Sequence, residues 1–391
     1  MKKILVITIP ILLIIIITIC YFIFRFKLEV TLVDDRSIVF GEEVNLKDYI
    51  SDSNATFIDK KIRLYELGKH DVSISYLNKY NKEKEYTFTV NVIDIDSPII
   101  LASTSVTGYV NEKVNLLKNV ICVDYISSNV TCEVEGDYDT TKLGKYSLKY
   151  VAKDESGNST SKDLTLNIIE KPKNTGNTNN AKQNSTPFKE IYDKYKADNT
   201  LIGIDVSRFQ GDIDFNKVKN DGVEFVIIRL GWYVDNEVGL DYNYEKYIED
   251  AYNAGLKIGL YFYSEASKME QIDEIVDFIA NNIKYKIDLP IAYDWEDFND
   301  YNSYKLSLYE FNNLAYHFMD KIKSVGYNSI LYASKYYLDY IWDIKEYPLW
   351  IAQYYKEVTY SGEYNIWQVT DKAKVDGINT FVDVDILYID K

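Results

Sequence analysis

Hydrophobic and polar residues follow four successive patterns along the chain, and each pattern predicts a different kind of structure. Residues 4–24 carry no charge and are almost entirely apolar. Residues 28–169 alternate between apolar and polar positions with a period of two, as half-buried strands do. Residues 170–187 contain almost nothing apolar, and from residue 200 onward apolar runs alternate with segments of helical spacing.

The uncharged segment at the N-terminus is long enough to cross a hydrocarbon core of ~30 Å as a helix. Lys2 and Lys3 precede it, and Arg25 and Lys27 follow it. A cleaved signal peptide would have a shorter apolar region and a small-residue cleavage site, which this segment lacks. We therefore expect residues 1–27 to form an uncleaved transmembrane signal anchor of a bacterial, single-pass cell membrane protein whose C-terminal domains face the cell wall.

An internal repeat divides the alternating region. The stretch "GEEVNLKDYI" (41–50) matches "NEKVNLLKNV" (111–120), and "LGKHDVSISY" (67–76) matches "LGKYSLKYVA" (143–152). Each repeat ends in an alternating strand, so the repeat unit is one β module. The pattern resembles two tandem bacterial immunoglobulin-like modules.

That resemblance implies two all-β sandwiches, module 1 over residues 28–93 and module 2 over residues 94–169. Module 2 contains Cys122 and Cys132, ten positions apart. Outside the cell these two cysteines could form a disulfide, and two buried thiols are the alternative. Residues 170–199 follow as a predicted flexible linker.

The C-terminal region is predicted to be an irregular (β/α) TIM-like barrel over residues 200–391. Its early strands are continuous apolar runs, which are typical of parallel strands buried on both faces. The helix in "SLYEFNNLAYHFMDKIKSVG" opens with a capping box from Ser307 to Glu310. The last strands lie too close together for full helices between them, so we expect helices to be missing late in the chain. The eight expected strands cover residues 201–206, 224–230, 257–263, 290–296, 328–333, 348–354, 364–369 and 382–388.

Composition and charge exclude several classes of function. The 391 residues carry a net charge of −16, which argues against nucleic acid as a partner because its phosphates would be repelled. No cysteine follows Cys132, so the barrel has no cysteine nucleophile. His317 is the one histidine of the barrel, which excludes a multi-histidine zinc site. A Ser-His-Asp triad would need His317, which lies in the middle of a predicted helix face.

Acidic residues occur repeatedly at the predicted strand ends. Strand one, "LIGIDVS", carries Asp205; strand four, "PIAYDWED", carries Asp294 and Glu296; strand eight, "FVDVDIL", carries Asp383 and Asp385. Active sites of such barrels lie at the C-terminal ends of the strands. We therefore expect these acids to meet at the mouth of the barrel.

Alternation along "PIAYDWED" puts Asp294 and Glu296 on one face and Tyr293 and Trp295 on the other. If the aromatic pair packs against helices, the acids face the barrel mouth. Crowded carboxylates cannot all ionise freely, so at least one should have a raised pKa, as glycoside hydrolysis requires. Two alternatives remain open: a Mg²⁺ or Ca²⁺ site, and acids that merely cap helices or end loops.

The same residues resemble glycoside hydrolase family 25, the lysozymes of the Chalaropsis type. The resemblance rests on "PIAYDWED" together with "GIDVSRFQGDIDFNKVKNDGVEFVIIRLG" (203–231) and "DYNYEKYIEDAYNAGLKIGLYFYSEA" (241–266). Further along, "LWIAQY" (349–354) and "IWQVTDKAKVDGINTFVDVDILY" (366–388) follow in the order of the family. The match covers nearly all of residues 200–391.

The resemblance implies a lysozyme that cleaves the β-1,4 bond between N-acetylmuramic acid and N-acetylglucosamine in peptidoglycan, with no cofactor and no metal. It implies Glu296 as the general acid and Asp294 as its partner, acting on the substrate's acetamido group or directly. Asp205 and Asp383 match the other acids of the floor. The positions that match the substrate groove of the family are Tyr263, Tyr332, Trp350, Tyr354 and Gln368.

The chain departs from the family pattern at Phe215, where tryptophan is commoner, and at Val369, where tyrosine is commoner. Both departures affect subsite detail and neither affects a catalytic acid. A chitinase-type barrel also carries "DWE", but it requires further acids upstream, where this chain has Pro290 and Ala292. A non-catalytic glycan-binding surface protein of the cell wall is the alternative from a different class, and loss of a catalytic acid would have indicated it.

These inferences together predict a membrane-tethered peptidoglycan hydrolase that remodels the cell wall locally. The two β modules and the linker would act as a spacer between the membrane and the catalytic domain. Peptidoglycan glycan strands are the predicted partner, and the sequence identifies no assembly partner in the cell envelope.

Overall fold

The structure, a computed structural model, describes these parts of the chain: Ile14, Ile16, Ile17 and residues 27–172, 185–343 and 346–389. No helix within these parts is long and apolar enough to cross a membrane. This finding corrects the predicted fold class, which included a transmembrane helix over residues 1–27, and with it the predicted location as a single-pass cell membrane protein. Most of residues 1–27 lie outside the described parts.

The chain divides into two compact units, Met1–Asp96 and Ser97–Lys391. The first unit contains module 1, in which a four-stranded sheet has the order β2-β8-β7-β5. Alternate residues of the long hairpin β7–β8 are buried, among them Ile74 and Val90. The strands of this unit are β1 (Val30–Leu32), β2 (Ser37–Val39), β3 (Val44–Asn45), β4 (Ile50–Ser53), β5 (Thr56–Phe57), β6 (Lys61–Ile62), β7 (Gly68–Leu77) and β8 (Glu83–Ile93).

Module 2 opens the second unit. Its strands are β9 (Ile99–Leu101), β10 (Ser105–Tyr109), β11 (Ile121–Val123), β12 (Thr131–Glu135), β13 (Gly144–Lys153) and β14 (Ser159–Ile169). Four of them form a sheet with the order β10-β14-β13-β12, and β9 pairs with β11. A disulfide between Cys122 and Cys132 joins these two sheets, with a Cα–Cα distance of 6.0 Å. Both modules are β-sheet structures as predicted, but the structure does not assign them to the immunoglobulin fold, so that part of the predicted fold class is not confirmed.

The rest of the second unit is a barrel-like sheet. Its strands are β15 (Thr186–Pro187), β16 (Thr200–Val206), β17 (Phe225–Val234), β18 (Glu237–Leu240), β19 (Lys257–Ser264), β20 (Ile291–Asp294), β21 (Ser329–Ser334), β22 (Leu349–Ala352), β23 (Ile366–Lys374) and β24 (Val382–Tyr388). Eight of these strands close on themselves in the order β16-β17-β19-β20-β21-β22-β23-β24, because β24 pairs with both β23 and β16. Seven run parallel, and β24 is antiparallel to both neighbours.

Helices cover the early strands and are missing late. They are α1 (Phe188–Tyr195), α2 (Phe215–Asn220), α3 (Tyr244–Asn253), α4 (Met269–Asn282), α5 (Tyr301–Tyr304), α6 (Leu308–Ser324) and α7 (Lys335–Tyr340). Residues 353–365 and 375–381, all of which the structure describes, contain no helix. The connections that follow β22 and β23 are loops.

The predicted capping box at the start of α6 is confirmed. The Glu310 N–H donates to Ser307 Oγ at 3.1 Å, and the Ser307 N–H donates to Glu310 Oε2 at 2.9 Å. Of the predicted linker, residues 173–184 lie outside the described parts. The residues that follow form β15, which pairs with β23, and α1, which buries Phe188 and Ile191 in the core of the barrel.

Candidate active site

The acids of the predicted site reach the barrel mouth along two kinds of strand. Asp205 and Asp294 lie at the ends of the parallel strands β16 and β20. Asp383 lies at the start of β24, and it reaches the same edge because β24 runs in the opposite direction, which puts Asp383 directly opposite Asp205. Sequence reasoning had expected Asp383 at the end of a parallel strand.

The orientation of β20 follows from packing on its other face. Tyr293 is buried against Phe318, with ring centroids 4.8 Å apart. Trp295 is buried against Phe311, with ring centroids 4.7 Å apart. Because alternate residues of a strand point to opposite sides, this packing turns Asp294 toward the inside of the barrel.

One groove of about 680 Å³ brings all nine predicted site residues together. They are Asp205, Asp294, Glu296, Asp383, Tyr263, Tyr332, Trp350, Tyr354 and Gln368. The groove has the size of an ordinary small-molecule or oligosaccharide cleft. Its location at the mouth of a parallel barrel agrees with the usual position of active sites in such folds.

Gln368 links the acids to the aromatic wall of the groove. Its Nε2–H donates to Asp205 Oδ2 at 2.7 Å. Its Oε1 accepts hydrogen bonds from the hydroxyl groups of Tyr332, at 3.0 Å, and Tyr354, at 2.9 Å. Since both ends of the amide are engaged, Gln368 holds the Asp205 carboxylate and two tyrosines in one fixed arrangement.

Burial raises the pKa of the acids at the centre of the groove. Asp294 is only 5% exposed, and its pKa is raised by burial first and then by the nearby charges of Glu296 and Asp205. Arg229 opposes this shift, but its guanidinium also forms an ion pair with Asp241, with an Nε–Oδ2 distance of 2.7 Å. Among the described residues, no hydrogen-bond donor reaches Asp294 Oδ1.

Glu296 combines solvent access with a raised pKa. The side chain opens onto the groove and is exposed, while the surrounding protein removes enough water to raise the pKa of its carboxyl. The charge of Glu296 in turn disfavours ionisation of Asp294. A pair of this kind retains a proton at pH values where a free glutamate has lost it.

The floor of the groove holds further acids with raised pKa values. Burial and the charge of Asp205 raise the pKa of Asp383 to about 9. Burial raises the pKa of Asp205, and the charge of Asp385 adds to the effect. Asp385 is fully buried and accepts a hydrogen bond from Trp350 Nε1 at 2.8 Å.

Several residues of the groove were missed by sequence reasoning. Arg208 and Phe209 lie two and three residues after the end of β16, and the Arg208 guanidinium lies 5.2 Å from the Phe209 ring centroid. Arg229 and Trp232 come from β17, and Tyr261 comes from β19. The stretch "RFQG" immediately after the first acid-bearing strand was the signal that could have identified Arg208 and Phe209.

Comparisons with known proteins point to the barrel region. The sequence model described as "Glycosyl hydrolases family 25" matches residues 204–378. The autolytic lysozyme of Clostridium acetobutylicum is 30% identical over 192 residues, which cover 47% of this chain and 55% of that protein. This chain therefore spans about half the length of that lysozyme.

Two further similarities each cover about half of this chain. The uncharacterized protein YegX of Escherichia coli strain K12 is 27% identical over 215 residues, covering 51% of this chain and 74% of that protein. Among solved structures, a family 25 glycosyl hydrolase from Bacillus anthracis covers 50% of this chain and 92% of its own, with 22% identity and a TM-score of 0.42.

Proposed function

We propose, on the premise that residues 204–378 form a domain of glycosyl hydrolases family 25, that this protein is a peptidoglycan hydrolase of the lysozyme type. Its reaction would be hydrolysis of the β-1,4 bond between N-acetylmuramic acid and N-acetylglucosamine. Glycan strands of peptidoglycan are then its substrate. The autolytic lysozyme similar to this chain supports the proposal.

The observation that carries the proposal is the pairing of an accessible Glu296 with a buried Asp294 in one groove. A glycosidase needs one carboxyl that still holds its proton and a second group that stabilises the developing positive charge on the sugar. Glu296 has the solvent access and the raised pKa that suit the first role. Asp294 lies deeper in the groove, where its side chain is almost fully buried.

In the proposed reaction, Glu296 donates its proton to the oxygen of the scissile bond as that bond breaks. Asp294 stabilises the positive charge on the muramic acid ring, either directly or by orienting the acetamido group of that sugar. The ionised Glu296 then accepts a proton from the water that completes hydrolysis. Asp205 and Asp383 line the same groove, and their raised pKa values let them hold protons beside the reacting pair.

The remaining groove residues suit a sugar substrate. Tyr354 is about half exposed at the rim, and Tyr263, Tyr332 and Trp350 present rings to the same groove. Aromatic faces pack against the apolar faces of sugar rings, while the amide of Gln368 and the tyrosine hydroxyl groups can exchange hydrogen bonds with sugar hydroxyls. We propose these five residues as the substrate-binding set.

The test compares the purified full chain with its Glu296→Gln variant on bacterial cell walls. The wild type should release soluble muropeptide fragments, and the variant should sediment with the wall and release none. Glutamine keeps the size and hydrogen-bonding capacity of the side chain but cannot donate the proton. If both proteins sediment with the wall and neither releases fragments, the protein is a non-catalytic wall-glycan-binding protein, and the proposal is wrong.

A further inference from the structure

Module 2 and the barrel share one hydrophobic wall. The wall is the two-stranded sheet β9–β11, whose residues alternate between two cores. Ile100 and Cys122 face the core of module 2 itself. Leu101, Ile121 and Val123 face the other way and belong to the core of the barrel. A period of two therefore makes each strand of this short sheet part of both structures.

Polar contacts at this wall involve the chain segment that follows the acids of β20. Asn302 in α5 donates from Nδ2 to the carbonyl oxygen of Val120 at 3.0 Å, and its Oδ1 accepts the N–H of Cys122 at 3.3 Å. One side-chain amide thus occupies a backbone donor and a backbone acceptor of module 2. A small cavity of about 20 Å³ lies beside this contact.

Module 2 also completes the N-terminus of α6. The first N–H groups of a helix have no partner within the helix. The capping box satisfies the third of them, while the N–H groups of Leu308 and Tyr309 donate to the carbonyl oxygens of Asp124, at 2.8 Å, and Tyr125, at 2.9 Å. The Asp124 carboxylate in turn accepts the N–H groups of the two residues after Tyr125, which fixes the turn that presents these carbonyls.

The segment between β20 and α6 connects these contacts with module 2 to Glu296, the candidate general acid. Consecutive tight turns begin at Glu296, whose carbonyl oxygen accepts the Phe298 N–H at 2.7 Å. The Tyr304 hydroxyl donates to Asp297 Oδ2 at 2.7 Å. The Trp295 ring lies between Phe298 and Tyr304, with centroids 5.0 Å and 5.2 Å away. The backbone at Glu296 therefore cannot shift without moving the residues that Asn302 holds.

The length of module 2 agrees with a role in contacting the barrel. In module 1, 26 positions separate Gly41 from Leu67, whereas 32 positions separate the corresponding Asn111 and Leu143 of module 2. The additional residues fall in the stretch "ICVDYISSN", which supplies β11 and the carbonyls that cap α6. The second repeat thus differs from the first where it contacts the barrel.

We propose that module 2 orients the segment that carries Glu296 and so contributes to catalysis by the barrel. In this proposal Asn302 is a positioning residue, which holds that segment against module 2. The inference rests on the proposed function, because it concerns the placement of the acid of that reaction. Module 2 is then not only a spacer that precedes the catalytic barrel. It fixes the direction in which Glu296 presents its carboxyl to the groove.

The test uses the full chain with Asn302→Ala, which removes both hydrogen bonds to module 2. The matched control is Asn299→Ala, in the same segment, where the exposed side chain makes no hydrogen bond to any described residue. Because a misplacement of about 1 Å can cost about 100-fold in rate, we expect kcat on cell walls to fall about tenfold in Asn302→Ala, with KM within about twofold. The control should keep both constants within about twofold of wild type.

Hydrogen exchange gives a readout that does not depend on activity. The amides of Leu308 and Tyr309 should exchange at least about tenfold faster in Asn302→Ala than in Asn299→Ala, because their acceptors belong to module 2. Asn302→Asp keeps the acceptor for the Cys122 N–H and loses the donor, so its kcat should lie between those of Asn302→Ala and wild type. This variant decides the matter if Asn302→Ala does not fold.

The outcomes separate the inference from the function on which it rests. A wild type that cleaves no wall would remove the proposed function. An active wild type whose kcat is the same in folded Asn302→Ala, Asn302→Asp and Asn299→Ala would overturn the positioning role. A variant that unfolds at lower temperature but keeps its kcat would also overturn it, because Asn302 would then act on stability alone.

Discussion

The two ends of the segment from Asp294 to Tyr309 face different environments and are built by different means. At its start, Asp294 and Glu296 face a groove crowded with carboxylates, where burial and like charges raise pKa values. At its end, Asn302 and the first turn of α6 face module 2 through neutral hydrogen bonds and apolar packing. The first end contains carboxyl groups whose burial destabilises the folded state, and the other end supplies contacts that stabilise it.

The difference shows how this chain can stay folded around a groove whose buried carboxyl groups lower its free energy of unfolding. Buried, unpaired carboxyl groups destabilise a fold, because the protein must hold protons that the unfolded chain would release. Neutral hydrogen bonds to backbone groups are modest but do not depend on pH in this way. The acids decide the chemistry, and the contacts with module 2 keep the segment that carries them ordered.

The largest expected effect lies at the groove end. Glu296→Gln should lower kcat by about 10³-fold or more, because general acid catalysis contributes about 10²–10⁴-fold and glutamine cannot donate the proton. The measurement is the rate of new reducing ends on purified cell walls. Asp300→Asn, an exposed acid of the same segment, serves as the control and should stay within about twofold of wild type. Equal losses in both variants would contradict the assignment.

The next effect concerns Trp295, whose buried ring lies between the two ends of the segment. Trp295 is buried among Phe298, Tyr304 and Phe311, so Trp295→Ala should destabilise the second unit by about 3–5 kcal/mol. Urea unfolding, followed by tyrosine and tryptophan fluorescence, measures the change. A loss below about 1 kcal/mol would mean that the ring does not hold the segment.

The groove end should also make stability depend on pH. Asp383 has a folded-state pKa of about 9, well above its unfolded value, so the folded chain keeps a proton that the unfolded chain loses. Its contribution is fully present below about pH 4 and is lost as pH rises toward 9. Relative to wild type, Asp383→Asn should therefore gain stability across this range, by at most about 1.4 kcal/mol per pH unit.

Thermal unfolding of both proteins from pH 4 to pH 9 checks this sign. Asp376→Asn is the control, because Asp376 is an exposed acid on the loop before β24. Its pH dependence should parallel that of wild type. An Asp383→Asn variant whose advantage shrinks as pH rises would show that the carboxyl is not held protonated in the fold.

The smallest effect distinguishes the two faces of the shared wall. Ile121→Val and Ile100→Val each remove one methylene group, from the neighbouring strands β11 and β9. Each change should lower the free energy of unfolding by about 0.5–1.5 kcal/mol. Ile121 faces the core of the barrel and Ile100 the core of module 2. Hydrogen exchange at Leu308 and Tyr309 should therefore accelerate more in Ile121→Val. Equal acceleration would mean that the wall does not couple the two cores selectively.

Local patterns predicted much of the barrel and of the groove. Continuous apolar runs identified the early strands of the barrel, and the capping box at Ser307 marked the start of α6. Acids at strand ends identified Asp205, Asp294 and Glu296, because a barrel brings such ends together at one edge. These features are encoded within a few neighbouring residues, so they can be recognised without a structure. The catalytic roles of these acids stay predictions.

The remaining features depend on contacts between distant parts of the chain. The antiparallel direction of β24 is set by pairing with β16 and β23, and no residue of β24 encodes it alone. The contacts of module 2 use the backbone groups of Val120, Cys122 and Asp124, which leave no side-chain signature. The transmembrane prediction rested on the length of the uncharged segment and on its lack of a cleavage site, and it is corrected because no helix in the described parts of the chain is long and apolar enough to cross a membrane.

We propose that the groove hydrolyses the muramic acid bond with Glu296 as its acid. The most direct measurement digests peptidoglycan with the full chain, reduces the products with borohydride and identifies the new reducing-end sugar by mass spectrometry. We expect reduced muramic acid from wild type and none from Glu296→Gln. Reduced glucosamine as the new end, or muramic acid ends that persist in the variant, would contradict it.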